Sequence, residues 1–228
     1  EQHDRPQRLC VAFHEQYLDK TSHKPEDNAW GATEFYNLNP QAHFDITDLH
    51  LYSSDAPGQF WDKHVHGVRK MKAFLKTRGD AEKPIWNSET SFFSGRDQFG
   101  FSEKEQARRV IQWYAQSLAV GIQRNFWYRV TEERGITNSD FTPKPSFAAH
   151  VTAAREFTNT TYQGEETGIS DLRAYHFQGQ DKRKTVAWTM SGKKILACQT
   201  QGEDTVAVRD MWGNPIPIKR VSDCHVID

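Results

Sequence analysis

Cysteine is scarce in this chain: three residues, Cys10, Cys198 and Cys224, are scattered over 228 positions. That excludes a disulfide scaffold and a cysteine-based zinc site. Cys198 and Cys224 would pair only if their strands are neighbours; free thiols are the base expectation. No apolar run approaches the ~20 residues needed to cross a bilayer. An excess of either charge is also missing: 29 Lys and Arg balance 30 Asp and Glu, for a formal net charge of -1. Without a basic face or stripe, a dedicated nucleic-acid binder is excluded. There is no Gly-rich phosphate loop and no nucleophile elbow. His3, His14, His23, His43, His64 and His66 show no metal-ligand spacing on a shared element, so no metal and no cofactor are expected. The start, Glu1-Gln2-His3-Asp4-Arg5, has neither Met nor a signal-like apolar run. The expectation is a processed chain or a fragment, with the compartment open and an extracellular or periplasmic one compatible. Asn159-Thr160-Thr161 fits a glycosylation acceptor, which has meaning only in a secreted eukaryotic protein.

What is present is an alternation of strand and helix over residues 44 to 157. Phe44–Tyr52 reads as a strand. After a turn-rich stretch, Phe60, Trp61, Val65, Val68, Met71, Phe74 and Leu75 recur at helical spacing, and Gly79 is the expected stop. Pro84–Thr90 reads as the next strand. Ser102-Glu103-Lys104-Glu105 has the form of a capping box, opening a helix that buries Ala107, Val110, Ile111, Tyr114, Ala115 and Leu118 and ends at Gly121. A strand over Ile122–Tyr128 and a helix from Pro145 to Phe157 follow. Upstream, Arg8–His14 has strand character and Ala29–Tyr36 that of a short helix. Strand–helix units of this length imply a parallel sheet covered by helices, with functional groups gathered at the carboxyl ends of the strands.

After about residue 160 the pattern changes. Leu172–Phe177, Thr185–Met190, Lys194–Thr200 and Thr205–Asp210 alternate apolar and polar residues between turn signals, and a last strand runs from Ile216. This predicts a small antiparallel β domain. The expected boundary divides residues 1–158 from 159–228.

Lys83-Pro84-Ile85-Trp86-Asn87-Ser88-Glu89-Thr90 carries the strongest chemical signal. A carboxylate at the end of an apolar strand is costly unless paired or used. His50 and Tyr52 close the preceding strand, and Trp127 and Tyr128 close the following one. Taken singly, each has a plainer account: Glu89 as a solvated loop residue, His50 as a structural histidine, and Tyr52 and Trp127 as core aromatics. Three adjacent strand ends carrying these groups suggest one site instead. Phe60, Trp61 and Trp113 are expected in the core, as are Trp188 and Trp212.

Taken together, four stretches resemble the C-terminal half of a retaining glycoside hydrolase of clan A, in its β-xylosidase-like and cellulase-like branches. Phe44-Asp45-Ile46-Thr47-Asp48-Leu49-His50-Leu51-Tyr52 is similar to the sixth strand of the (β/α)8 barrel, and Lys83–Glu89 to the seventh. Gly121–Tyr128 is similar to the eighth strand, and Lys144–Ala149 to the start of the closing helix. Val208-Arg209-Asp210-Met211-Trp212-Gly213-Asn214 resembles part of the accessory β-sandwich. The likeness covers residues 44 to about 220. It implies an α/β fold: a partial (β/α)8 TIM barrel followed by a small antiparallel β-sandwich. It also implies Glu89 as nucleophile, with His50, Tyr52, Trp127, Tyr128 and Asn87 binding an oligo- or polysaccharide. A hydrogen bond from Tyr52 would favour the ionised carboxylate.

One departure stands out. These enzymes carry an acid/base, commonly as Asn-Glu at the end of the fourth strand, and no Asn-Glu dipeptide occurs here. Glu15 is a weak substitute and sits better at the end of the fifth strand. A whole barrel needs about 250 residues. The resemblance therefore predicts a partial sequence, inactive alone, that lacks the acid/base half. A non-catalytic carbohydrate-binding protein or pseudoenzyme on the same fold is the alternative.

Overall fold

The computed structural model describes residues 10–14, 32–38, 43–52, 60–94, 102–190, 196–199, 206–221 and 224–227. The chain divides into two compact units. One comprises Glu1–Phe101 and Gln116–Gly135, the other Ser102–Ala115 and Ile136–Asp228.

The first unit is built on alternating strands and helices: β1 (Cys10–His14), α1 (Ala32–Tyr36), β2 (Ile46–His50), α2 (Phe60–Thr77) and β3 (Ile85–Thr90). Helix α3 (Glu103–Ala119) runs across the division of the units and leads back to β4 (Ile122–Trp127). The strands form one sheet in the order β1-β2-β3-β4, every pair parallel. Sequence order equals spatial order, and each parallel step requires a crossover, the usual task of a helix. The strands are shorter than their apolar runs: Phe44 and Pro84 precede β2 and β3.

Ile46, Leu49, Leu51, Ile85, Phe92 and Ile122 are buried, as are Val65, Val68, Met71, Phe74 and Leu75 of α2. An aromatic cluster pins the amino end of β2: the Tyr36 ring meets Phe74 at 5.3 Å and Phe44 at 6.1 Å. The Tyr36 hydroxyl donates to Asp80 Oδ2 at 2.5 Å, and Lys83 pairs with Asp80 at 3.3 Å while lying 3.4 Å over the Phe44 ring. Burial, then the Asp80 bond, push the Tyr36 hydroxyl well above the ordinary phenol range, so it remains a donor. Helix α2 stops as its sequence requires. Gly79 takes a left-handed φ of 80°, its N–H donates to the Lys76 carbonyl, and Asp80 N–H donates to Leu75. At the end of α3, Gly121 has φ 85°, and an added Cβ would stand 2.8 Å from Lys72 Nζ.

The predicted capping box forms by half. Ser102 Oγ accepts from Glu105 N–H at 3.1 Å, but the Glu105 carboxylate turns to Arg108 at 2.6 Å and Arg109 at 3.1 Å. Two guanidiniums are stronger partners for a carboxylate than one backbone amide.

Among the described residues, the second unit holds α4 (Pro145–Phe157) and eight short strands: β5 (Thr161–Glu165), β6 (Leu172–Gln178), β7 (Arg183–Thr189), β8 (Leu196–Gln199), β9 (Val208–Arg209), β10 (Pro215–Ile216), β11 (Lys219–Val221) and β12 (Cys224–Ile227). They form three separate antiparallel sheets, β5-β6-β7, β11-β12-β8 and β9-β10. Strand β5 had no counterpart in the sequence reading, because Thr161–Glu165 is exposed or half-buried and lacks an apolar face. The single last strand expected from Ile216 is instead a series of short pieces. Strands β8 and β12 are neighbours, but Cys198 stands opposite His225 and Cys224 opposite Gln199. The two cysteines are thus one residue out of register. Trp113, expected in the core, is fully buried. The side chains of Phe60 and Trp61 lie outside the described residues. Among the described residues, no helix is long and apolar enough to cross a membrane.

Within this unit His150 lies edge-on to Tyr114, ring centroids 5.4 Å apart, with the hydroxyl 3.4 Å from Nδ1. Burial pulls the His150 pKa below its usual value. The folded state then binds its proton less readily than the unfolded chain, whose histidine titrates near 6.5. Stability from this site is complete above about pH 6.5 and is lost as pH falls from there through the lower folded pKa. We expect the Tm of the chain to drop between pH 7.5 and 5.5, and the drop to shrink in His150→Phe. Equal drops in both proteins would contradict this.

Candidate functional site

The carboxyl ends of β2, β3 and β4 lie side by side. In the ladder His50 stands opposite Glu89, and Thr90 opposite Trp127. Residues from three separate segments are thereby brought to one edge of the sheet in the first unit.

Glu89 is at the centre. The Tyr52 hydroxyl donates to Oε1 at 2.5 Å, and His50 Nδ1 lies 2.8 Å from Oε2. An ionised carboxylate only accepts hydrogen bonds, so His50 must carry its proton on Nδ1 in this contact. Both oxygens are thus met by donors, while the side chain stays 26% exposed. Burial, then the Glu89 hydrogen bond and charge, raise the Tyr52 pKa well above the phenol range. Tyr52 is therefore a permanent donor at neutral pH.

The ladder is irregular just here. Thr47, Asp48 and Leu49 face Ile85, Trp86 and Asn87 in turn, and then His50 faces Glu89. Ser88 is an extra residue, and β4 shows the same surplus on β3 between Asn87 and Thr90. Asp48 takes up the extra residue: Oδ1 accepts the Ser88 N–H at 2.8 Å, and Oδ2 accepts the Ser88 hydroxyl. Asp48 is only 4% exposed, and its Oδ2 is 3.7 Å from His50 Nε2. The sequence reading did not single out Asp48 or Ser88. The available signal was a carboxylate in the middle of the short strand Ile46–His50.

Trp127 is half-buried. Its Nε1–H donates to the Arg134 carbonyl at 2.9 Å, and its ring packs on Phe92 with centroids 5.6 Å apart. Arg134, also absent from the sequence reading, donates from Nη1 to Ser91 Oγ at 3.0 Å. Its guanidinium lies 3.7 Å over Phe93 and 5.0 Å from the Tyr52 ring centroid. Tyr128 is 40% exposed, and its N–H donates to the Thr90 carbonyl at 2.8 Å.

Asn87 is placed differently from the expected substrate contact. It is completely buried, its Oδ1 accepts the Leu51 N–H at 3.2 Å, and its Nδ2 donates to Asn125 Oδ1 at 3.1 Å. A side chain with no accessible surface and both ends engaged ties β2, β3 and β4 together rather than meeting a sugar. Glu15 lies outside the described residues. Among those residues no group of His, Cys, Asp or Glu could hold a metal ion.

No protein-family model matches the chain, and no curated protein matches it. Among solved structures, it is similar to a family 39 glycoside hydrolase from the gut symbiont Bacteroides cellulosilyticus WH2. The TM-score is 0.61 at 16% identity, over 89% of this chain and 46% of that one. It is also similar to a glucosidase from Croceicoccus marinus, with a TM-score of 0.50 at 13% identity, over 75% of this chain and 36% of that one. The chain therefore spans less than half the length of either structure. At these identities the likeness is one of fold, that of glycoside hydrolases.

The cross-link at Asn87 carries a measurable consequence. Asn87→Ala leaves the Asn125 amide oxygen without the Asn87 donor, while Leu51 N–H keeps its bond to the Glu89 carbonyl at 3.1 Å. The expected loss is about 1–3 kcal/mol in urea denaturation. An unchanged denaturation midpoint would remove Asn87 from this structural role.

Proposed function

We propose that this chain provides the nucleophile half of a retaining glycoside hydrolase, with Glu89 as the nucleophile. The observation that carries the reading is the Glu89 carboxylate, held by Tyr52 and His50 at a strand-end edge that also bears Trp127, on a glycoside hydrolase fold. In this reading the sheet β1–β4 is the later part of a (β/α)8 barrel, and residues 159–228 are its accessory β domain.

In the first step, a carboxylate oxygen of Glu89 forms a bond to the anomeric carbon of an oligo- or polysaccharide as the bond to the leaving oxygen breaks. In the second, water attacks the same carbon and Glu89 leaves as a carboxylate. Tyr52 and His50 serve both steps. Their donors orient the carboxylate for attack, and their bonds strengthen again as negative charge returns during hydrolysis of the intermediate. The half-exposed Trp127 ring, fixed by Phe92 and by the Arg134 carbonyl, is a ready platform for a sugar face. Tyr128 extends that surface.

A proton must reach the leaving oxygen from a second carboxyl about 5–5.5 Å away from the first. Asp48 does not fit, being 4% exposed and committed to Ser88. The acid/base is assigned to sequence outside the described residues.

The test uses the full-length protein. Glu89→Ala should lose hydrolysis by roughly 10⁴-fold or more, the scale on which deletion of a covalent nucleophile is felt. Added azide should restore turnover and yield a glycosyl azide. A variant that keeps its activity would overturn the assignment. A full-length protein that binds sugar but never hydrolyses it would support the non-catalytic reading.

A further inference from the structure

The irregular step in the β2–β3 ladder points to a residue that sets where Glu89 stands. In a regular parallel ladder the residue after Asn87 would face His50. That residue is Ser88, and the alternation of side chains would then turn Glu89 to the opposite face. In the structure Ser88 is displaced from the ladder, and Glu89 takes the place opposite His50. Two consecutive side chains, Ser88 and Glu89, consequently address the same face of β2, meeting Asp48 and His50 respectively.

An extra residue costs hydrogen bonding, because its backbone N–H has no ladder partner. Here Asp48 Oδ1 accepts that N–H at 2.8 Å, and Oδ2 accepts the hydroxyl of the same residue. Burying a carboxylate for this purpose is expensive. The Asp48 side chain is only 5% exposed, and His50 Nε2 lies 3.7 Å from its Oδ2, beyond hydrogen-bond range. What Asp48 supplies in return is geometry: it makes the bulged step the satisfied one and the regular step the unsatisfied one.

We propose that Asp48 is the positioning residue of the nucleophile, holding Ser88 out of the ladder so that Glu89 faces His50 and Tyr52. The inference rests on the reading of Glu89 as nucleophile and adds a residue that never touches substrate.

The experiment compares Asp48→Ala, Asp48→Asn and Glu89→Ala in the full-length protein. The probe is whichever 2,4-dinitrophenyl glycoside the wild type cleaves, followed as a pre-steady-state burst. Burst amplitude counts folded sites, and burst rate reads the attack of Glu89. Asp48→Ala should slow the burst by about 10²-fold, the scale of an ångström-sized misplacement. The dissociation constant of the probe, read from the concentration dependence of that rate, should change little. Asp48→Asn retains an oxygen for the Ser88 N–H and should recover the rate to within about tenfold of wild type, since the loss is geometric and not electrostatic. If Asp48→Ala yields no folded protein, Asp48→Ser carries the same comparison.

A wild-type burst rate in the alanine or serine variant overturns the proposal. So does an asparagine variant as slow as alanine, which would mean that the charge of Asp48 acts through His50. The Glu89→Ala arm separates the two readings. If that variant is dead and rescued by azide while Asp48→Ala is fast, only the positioning role falls. If Glu89→Ala stays active, the nucleophile reading falls first.

Discussion

A parallel ladder advances one residue against one residue, and β2 and β3 keep that rule until Leu49 faces Asn87. The next step breaks it, and the candidate site depends on the break. His50 and Glu89 meet only because Ser88 is left over. Asn87, the last residue in regular step, braces the junction by joining Leu51 and Asn125 across three strands. The site is therefore a property of register as much as of residue identity. Bulges commonly serve this end, re-aiming a side chain that regular pleating would bury or turn away.

The electrostatics follow from the same geometry. One imidazole lies between two carboxylates, at 2.8 Å from Glu89 and 3.7 Å from Asp48. Only the closer contact is a hydrogen bond. Each hydrogen bond to a charged group contributes about 1.5–3 kcal/mol, against about 0–1 kcal/mol for an exposed ion pair. The interactions at Glu89 belong to the first kind. Behind them, Arg134 sits over Phe93 and beside Tyr52, and its carbonyl holds the Trp127 indole. One residue of the segment after β4 thus touches both walls of the site.

Much of the first unit was legible in the sequence because its physics is local. Apolar spacing marked α2 and α3, Gly79 and Gly121 marked their ends, and Pro145 opened α4 where the chain said it would. The sequence singles out His50, Tyr52 and Glu89, which the fold brings into contact, because polar groups at the ends of apolar strands are conspicuous. What sequence does not carry is register. Nothing in Asn87-Ser88-Glu89 says which residue will be extra, so neither the bond between Asp48 and Ser88 nor the bracing by Asn87 is legible there. Partner choice is another non-local quantity, and Glu105 shows it by preferring two arginines to its own cap. In the second unit, β5 lacks an apolar face and the chain beyond Ile216 breaks into short pieces, so alternation alone missed the first and merged the second.

The surplus residue in β3 also bears on how such chains are compared with one another. A related strand one residue shorter, without the serine, would set its carboxylate opposite the histidine by ordinary pairing. The two carboxylates would then be equivalent in space while differing by one position along the chain. A gap at this point is a change in the path of the backbone and not in the place it reaches. Counting residues from the start of the strand is therefore a poor ruler for this position, and the histidine across the ladder is the better landmark.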